Sequence, residues 1–255
     1  MSSRPLNVIL FGQTGHGKSS LINLIAGQEV AKVSSGAAGC TMSFQRYPFL
    51  VNGRDVQVWD TVGLDDPDME IKAIGQAYQL IRDWEKHGGV DLLLFCFRAP
   101  RITATVHANY RLFYEVLCRG HVPIALAITN LELEPDMENW WTRNVQKFER
   151  FGLKFAAHVC VTGLPKHEKH TESRRHVWDL LQAHCGDRFN MSSEAWFVES
   201  LPLFSFFSPL KRGLTKKKIT RVLVERCGMD QKKAEEVATK LESREAEEAA
   251  AKSDP

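Results

Sequence analysis

Eight consecutive residues carry the strongest chemical signal in the chain. Gly12-Gln13-Thr14-Gly15-His16-Gly17-Lys18-Ser19 fits the pattern G-x-x-x-x-G-K-[ST] throughout, the loop that cradles phosphate groups. The residue types follow from that task. Glycines let successive backbone N–H groups converge on phosphate oxygens, and a helix starting at the end of the loop adds positive potential there. The Lys18 ammonium is placed to reach the outer phosphates of a nucleoside triphosphate, and the Ser19 hydroxyl to ligate Mg2+. The run from Gly12 to Ser19, with the following Ser20, is therefore assigned to nucleotide binding.

Two further segments extend this chemistry. Asp60 opens Asp60-Thr61-Val62-Gly63 at the end of an apolar stretch. A carboxylate at that place holds Mg2+ in phosphate-loop proteins, often through water, and the Gly63 N–H is positioned to meet the γ-phosphate. Thr41 lies in a small, polar, glycine-bearing segment between the two motifs. Its hydroxyl can join Ser19 and Asp60 around the metal, and its backbone can meet the γ-phosphate. Such contacts exist only with triphosphate bound, which makes an order–disorder switch. Ser34, Ser35 and Ser43 are competing hydroxyls nearby.

The elements needed to position these residues are legible as periodicities. LNVILF before the loop is a continuous apolar strand, and LINLIAG after it places Leu21, Leu24 and Ile25 at helical spacing, with Gly27 as the stop. Residues 43–51 and 54–59 predict two strands joined by Asn52-Gly53, a hairpin pair that accepts φ > 0. Residues 70–87 predict a helix ended by Gly88-Gly89. Residues 90–97, apolar but for Asp91, and 122–128 read as strands buried on both faces of a parallel sheet. Helices are expected at 105–118, about 137–150 and 172–185, with a strand near 157–162. Alternation of this kind predicts an α/β fold: a three-layer, doubly wound, mostly parallel sheet with one antiparallel hairpin strand. Residues 1–188 are expected to form this domain, and 189–255 an apolar linker and a helical extension with a frayed acidic tail. The stripes Ile219, Val222, Leu223 and Ala234, Val237, Ala238, Leu241 mark two short helices turning at Gly228.

Taken together, GQTGHGKSSLINLIAG, a threonine in a glycine-bearing loop, and DTVGL resemble the translation-factor-like GTPases. They look like the septin-related branch, with its immunity-associated nucleotide-binding proteins and chloroplast import receptors, and most like G-domain proteins of mushroom-forming fungi. The resemblance covers residues 5–185. It implies a G domain that binds GTP and GDP with Mg2+ and hydrolyses GTP, with Lys18, Thr41, Gly63 and His16 as the groups nearest the chemistry. It also implies an Asn/Thr-Lys-x-Asp motif for guanine after the strand ending near Ile128. This chain has Thr129-Asn130-Leu131-Glu132 there. Glu132 keeps a carboxylate for the guanine N1–H and 2-amino group on a longer stem, and Asn130 lacks the lysine stem that packs on the base. The loop that would contact the guanine carbonyl is Val161-Thr162-Gly163, so the Thr162 or Gly163 N–H takes that role. The alternatives are relaxed or non-guanine specificity, a nucleotide-binding scaffold with little hydrolysis, and a P-loop kinase or ATPase.

Leu64 stands where many small GTPases have a water-orienting glutamine, as the septin-related branch also has a hydrophobic residue. Slow intrinsic hydrolysis is the expectation, with His16, Gln13, Thr14, Arg98, Arg101 or a second protomer across the nucleotide face positioning water. Composition adds exclusions. The 255 residues are 44% hydrophobic and 25% charged with net charge +2, values of an ordered globular chain rather than a disordered or collagen-like one. Six well-separated cysteines without a C-x-x-C pair predict reduced thiols rather than a zinc site, and with no signal or spanning segment the expected location is cytoplasmic. His167 and His170 read as a polar loop rather than a metal pair. The basic, phenylalanine-containing segment 201–221 raises membrane association, but packing on the domain with a solvated basic helix end is preferred. No nucleic-acid partner is expected, and the effector is not encoded in any motif.

Overall fold

A computed structural model of the chain describes residues 4–32, 45–61, 89–100, 102–118, 120–183, 216–225, 230–232, 234–236 and 238–239. Six strands form one sheet: β1 (Leu6–Phe11), β2 (Gln45–Val51), β3 (Arg54–Asp60), β4 (Leu92–Arg98), β5 (Ile124–Thr129) and β6 (Ala157–Cys160), in the order β2-β3-β1-β4-β5-β6. Only the β2–β3 pair is antiparallel. The turn between them places Asn52 at φ 47° and Gly53 at φ 80°, the conformation that Asn-Gly favours in hairpins.

Strand periodicity divides the core. Ile9, Phe11, Leu93, Phe95, Phe97, Leu126 and Ile128 face one side, where helix α2 (Ala104–Tyr110) and helix α3 (Glu138–Arg150) cover them. Leu6, Val8, Leu10, Leu92, Leu94, Cys96, Ala125 and Ala127 face the other, under α1 (Lys18–Ala26) and α4 (His170–Ala183). The first side is aromatic, with Phe11 stacked on Phe95 and Phe113 at 4.7 and 4.2 Å. Every residue of β1 and β5 is buried, which is why these strands read as near-continuous apolar runs. The three-layer, mostly parallel α/β expectation holds.

Boundaries shift for identifiable reasons. The strand expected from 122 begins at Ile124, because Pro123 has no N–H to give; its carbonyl instead accepts from Leu93 N–H at 2.9 Å. The helix expected at 105–118 is α-helical only to Tyr110, and Arg111–Leu117 is π-helical, with Cys118 N–H reaching Phe113 O at 3.0 Å. Apolar spacing carries no signal for that wider turn. The expected helix at 70–87 and the segments 33–44, 62–69 and 184–215 lie outside the described residues.

Helix α5 (Lys216–Glu225) buries Thr220 and rests Val224 on the aromatic side of the core, where Ala234 and Ala238 are also buried. Lys216, Lys217 and Arg221 are exposed on it. No described helix is long and apolar enough to cross a membrane.

Candidate nucleotide-binding site

The site is built at the carboxyl ends of β1, β3, β4 and β5, the edge at which α/β sheets place ligands. The chain leaves β1 at Gly12, passes through the loop and enters α1 at Lys18. Gly17 caps that helix in the left-handed region at φ 92°, and no acidic residue lies in the first turn. The helix N-terminus therefore keeps its positive potential for an incoming anion.

Neighbouring strands brace the loop. The His16 carbonyl accepts from Thr129 Oγ1 at 2.8 Å and from Cys96 Sγ at 3.0 Å. Arg98, at the exposed end of β4, donates to Gly15 O at 3.3 Å, and Thr103 Oγ1 donates to Gln13 Oε1 at 3.5 Å. Lys18 is buried and folds over the loop, with Nζ donating to Gly12 O at 2.9 Å and Gln13 O at 3.0 Å. Thr14, Ser19 and Ser20 are partly buried around the same turn.

The His16 imidazole is turned toward β4. Its Nδ1 faces the Cys96 carbonyl at 3.4 Å, so Nδ1 carries the proton, and its ring meets Phe97 edge-on. Burial, with Lys18 and Arg98 nearby, lowers its pKa to about 4 against the opposing pull of the Cys96 carbonyl. It is neutral at pH 7 and supplies no positive charge to a phosphate. Of the other residues put forward near the chemistry, Thr41, Gly63 and Arg101 lie outside the described residues.

Asp60 ends β3 almost fully buried. Its Oδ1 has no hydrogen-bond partner among the described residues, and burial raises its pKa to about 7 despite the attraction of Lys18. A buried carboxylate oxygen left unsatisfied fits a hard divalent cation, with the Ser19 hydroxyl as a second oxygen donor. The titration has a stability consequence. Folded Asp60 holds its proton to about pH 7, against 3.8 for an ordinary aspartate, so ionising it costs stability as pH rises through that window. His16 acts oppositely: its folded value is about 4 against 6.5, so stability falls as pH drops through that range. The Asp60→Asn chain should therefore lose the Asp60 contribution to this slope, and its gain in Tm over the parent chain should grow from pH 4 to pH 8. A constant difference in Tm between the two chains over that range would show that Asp60 is already ionised.

On the base side, Asn130 follows β5 in the left-handed region at φ 67°, and its Nδ2 donates to Ala99 O at 3.1 Å. Glu132 is not a loosely solvated acid. Its Oε1 accepts from Thr162 Oγ1 at 3.0 Å. The other acids of this run are also engaged: Glu134 with Arg143 at 2.7 and 2.8 Å, Asp136 with Glu138 N–H at 3.0 Å, and Glu138 with His158 at 2.8 Å. Lys169 Nζ donates to Glu134 O and Pro135 O. The Thr162 N–H, expected to serve the base carbonyl, donates instead to Ser173 Oγ at 3.1 Å, with Thr162 wholly buried. Gly163, the other residue expected in that role, follows Thr162 directly in the chain. An added Cβ on Gly163 would lie 2.7 Å from Ser20 Cβ, so this loop rests directly on the first turn of α1.

Sequence reasoning missed Cys96, Thr129 and Ser173 as supports. Cys96 and Thr129 stand at the carboxyl ends of buried strands, which was the available signal; Ser173 lies inside a helix and gave none.

A mostly parallel sheet, a phosphate loop at the β1–α1 turn and a buried acid at the end of β3 form a site of the P-loop nucleotide-binding kind, and the chain is similar to P-loop GTPases. Residues 7–129 match the family described as 50S ribosome-binding GTPase. Over 90 residues the chain is 38% identical to the tRNA modification GTPase MnmE of Acidovorax sp. (strain JS42), covering 35% of this chain and 18% of that protein. It is 26% identical over 155 residues to the GTPase Der of Campylobacter fetus subsp. fetus, covering 61% and 30%. The chain thus spans less than a third of the length of these relatives. Among solved structures it is similar to Toc33 from Arabidopsis thaliana with Mg2+ and GMPPNP (TM-score 0.51, 18% identity, 71% of this chain and 83% of that one). A structure of the chloroplast translocon components atToc33 and psToc159 gives TM-score 0.55 at 18% identity, over 72% and 85%.

Proposed function

We propose that the chain is a Mg2+-dependent guanine-nucleotide switch that hydrolyses GTP to GDP and phosphate slowly on its own. The single observation carrying this reading is the convergence at one sheet edge of the Lys18 loop and the unsatisfied Asp60 oxygen. Bound Mg2+ would neutralise charge developing on the phosphates, held by Ser19, Asp60 and Thr41. Lys18 neutralises the outer phosphates, and the loop N–H groups with Gly63 fix their orientation. Glu132 receives the guanine N1–H and 2-amino group, and Gly163 N–H donates to its carbonyl. Residues 1–188 form the switch domain and 189–255 its helical extension, in the septin-related branch and near its fungal G-domain members, working in the cytoplasm.

Arg98 beside the loop, with exposed Leu133 and Leu164 on the two base loops, supports pairing of two copies across the nucleotide face. The solved structure of atToc33 and psToc159 is titled for the importance of dimerisation to their GTPase activity. The test is a calorimetric nucleotide panel with Mg2+, followed by single-turnover phosphate release. GTP should bind at least roughly tenfold more tightly than ATP, as one good bidentate base contact allows, and phosphate release per protomer should rise with protein concentration. Equal affinity for GTP and ATP overturns the guanine reading, and GTP bound without phosphate release leaves a scaffold.

A further inference from the structure

Ser173 belongs to no nucleotide motif, yet it lies at the head of a hydrogen-bonded chain that ends on the base-side acid. Past the last ladder bond of this edge, from Val161 N–H to Ile128 O at 2.9 Å, the backbone leaves the sheet. Its next anchor is the bond from Thr162 N–H to Ser173 Oγ at 3.1 Å. Both residues have no exposed surface. Held there, the Thr162 hydroxyl accepts from Leu164 N–H at 3.2 Å and stands 3.0 Å from Glu132 Oε1. The carboxylate can only accept, so the hydroxyl proton points at Glu132.

A glutamate on a loop has one more rotatable bond than the aspartate it replaces, and ordering it on binding costs affinity. A charge-assisted bond from a buried hydroxyl removes that cost in advance by fixing the carboxylate while each oxygen keeps a lone pair for a ligand.

The same turn of α4 also holds the phosphate side. Arg174 donates to Ala26 O at 3.2 Å and stacks on Trp178 at 4.3 Å, and Trp178 Nε1 donates to Ile25 O at 3.1 Å. These bonds fix the far end of α1, the helix that begins at Lys18. One helix thus sets both the base loop and the phosphate-loop helix.

We propose that Ser173 is a positioning residue for base recognition, orienting the Glu132 carboxylate through Thr162 toward the 2-amino group of a purine. This rests on the guanine reading above. The test compares Kd for GTP and ITP, which differ only in that amino group, for the full chain with Mg2+. Ser173→Ala should cut the preference for GTP over ITP by roughly five- to tenfold while changing ITP affinity by less than about threefold. Thr162→Val, which deletes the hydroxyl at constant volume, should do the same, and Thr162→Ser should keep the parent ratio. An unchanged ratio in both Ser173→Ala and Thr162→Val, with GTP and ITP weakened equally or not at all, overturns the inference and leaves the guanine reading standing. A parent chain that binds GTP and ITP equally overturns both.

Discussion

Lys18→Ala should lower affinity for GTP by about 3–4 kcal/mol, roughly 100–1,000-fold, and should lower affinity for ATP and ITP by the same factor. Equality across the three is the informative part. Lys18 is buried with its ammonium on the Gly12 and Gln13 carbonyls, on the phosphate loop rather than on the base loops. Its loss removes the one buried cation of the loop and takes a donor from both carbonyls, of which Gln13 O keeps the His16 N–H at 3.2 Å. It also removes the charge that opposes the upward shift of Asp60, so the carboxylate becomes harder to ionise for Mg2+. Lys18→Arg should not restore binding, because a planar guanidinium cannot occupy the site of a compact ammonium. Calorimetry with the three nucleotides decides. A Lys18→Ala chain binding GTP within threefold of the parent overturns the phosphate assignment, and a loss confined to GTP places Lys18 on the wrong end of the nucleotide.

The contrast between Lys18 and Ser173 separates what the amino-acid order discloses from what only the folded chain does. The phosphate loop is legible because its eight residues are consecutive and act mainly through backbone. The strands β1, β4 and β5 are legible because burial on both faces makes them apolar but for Asn7 and the terminal Arg98 and Thr129, and the β2–β3 turn because Asn52-Gly53 tolerates positive φ. Side-chain direction is a different matter. The loop pattern specifies the backbone at His16 and says nothing of its ring, which the β1–β4 pairing sends under the loop to Cys96, 80 residues away. The bond from Thr129 to the His16 carbonyl spans 113 residues and exists only because β5 is the next strand over. Thr162 shows the same limit. A hydroxyl and an N–H at the expected loop were both visible, but their division between Glu132 and Ser173 depends on how α4 packs. Glu132 stands close to Glu134, Asp136 and Glu138 in the sequence, and what sets it apart is its bond from Thr162 Oγ1 across the sheet edge. Local chemistry is written in local sequence; the bonds that aim it come from strand order.

Gly12→Ala should destabilise the fold by about 3–5 kcal/mol and abolish measurable GTP binding, whereas Gly15→Ala should cost about 1–2 kcal/mol and leave the chain folded. Both glycines belong to the same loop, but the motif requires only the first; Gly15 stands at one of its free positions. At Gly15, φ is 77° and an added Cβ meets nothing within 4 Å, so the cost is conformational alone. At Gly12, φ is 145° and an added Cβ would lie 2.3 Å from Cys96 O and 3.2 Å from Cys96 C. Those are backbone atoms of β4 and cannot swing aside as a side-chain tip would. Nor can the strands part: Phe11 pairs with Phe95 in the parallel ladder just before this point, and the two rings are stacked and fully buried. Relief must come from moving the loop, which carries the His16 carbonyl away from Thr129 and Cys96 and the N–H groups away from their common focus. Against a total stability of about 5–15 kcal/mol for a domain, the Gly12 variant stays folded but with a large fall in its denaturant midpoint. Chemical unfolding and GTP calorimetry on the two variants measure this directly. Equal losses in both would mean that the close approach of β4 is not what requires glycine at position 12.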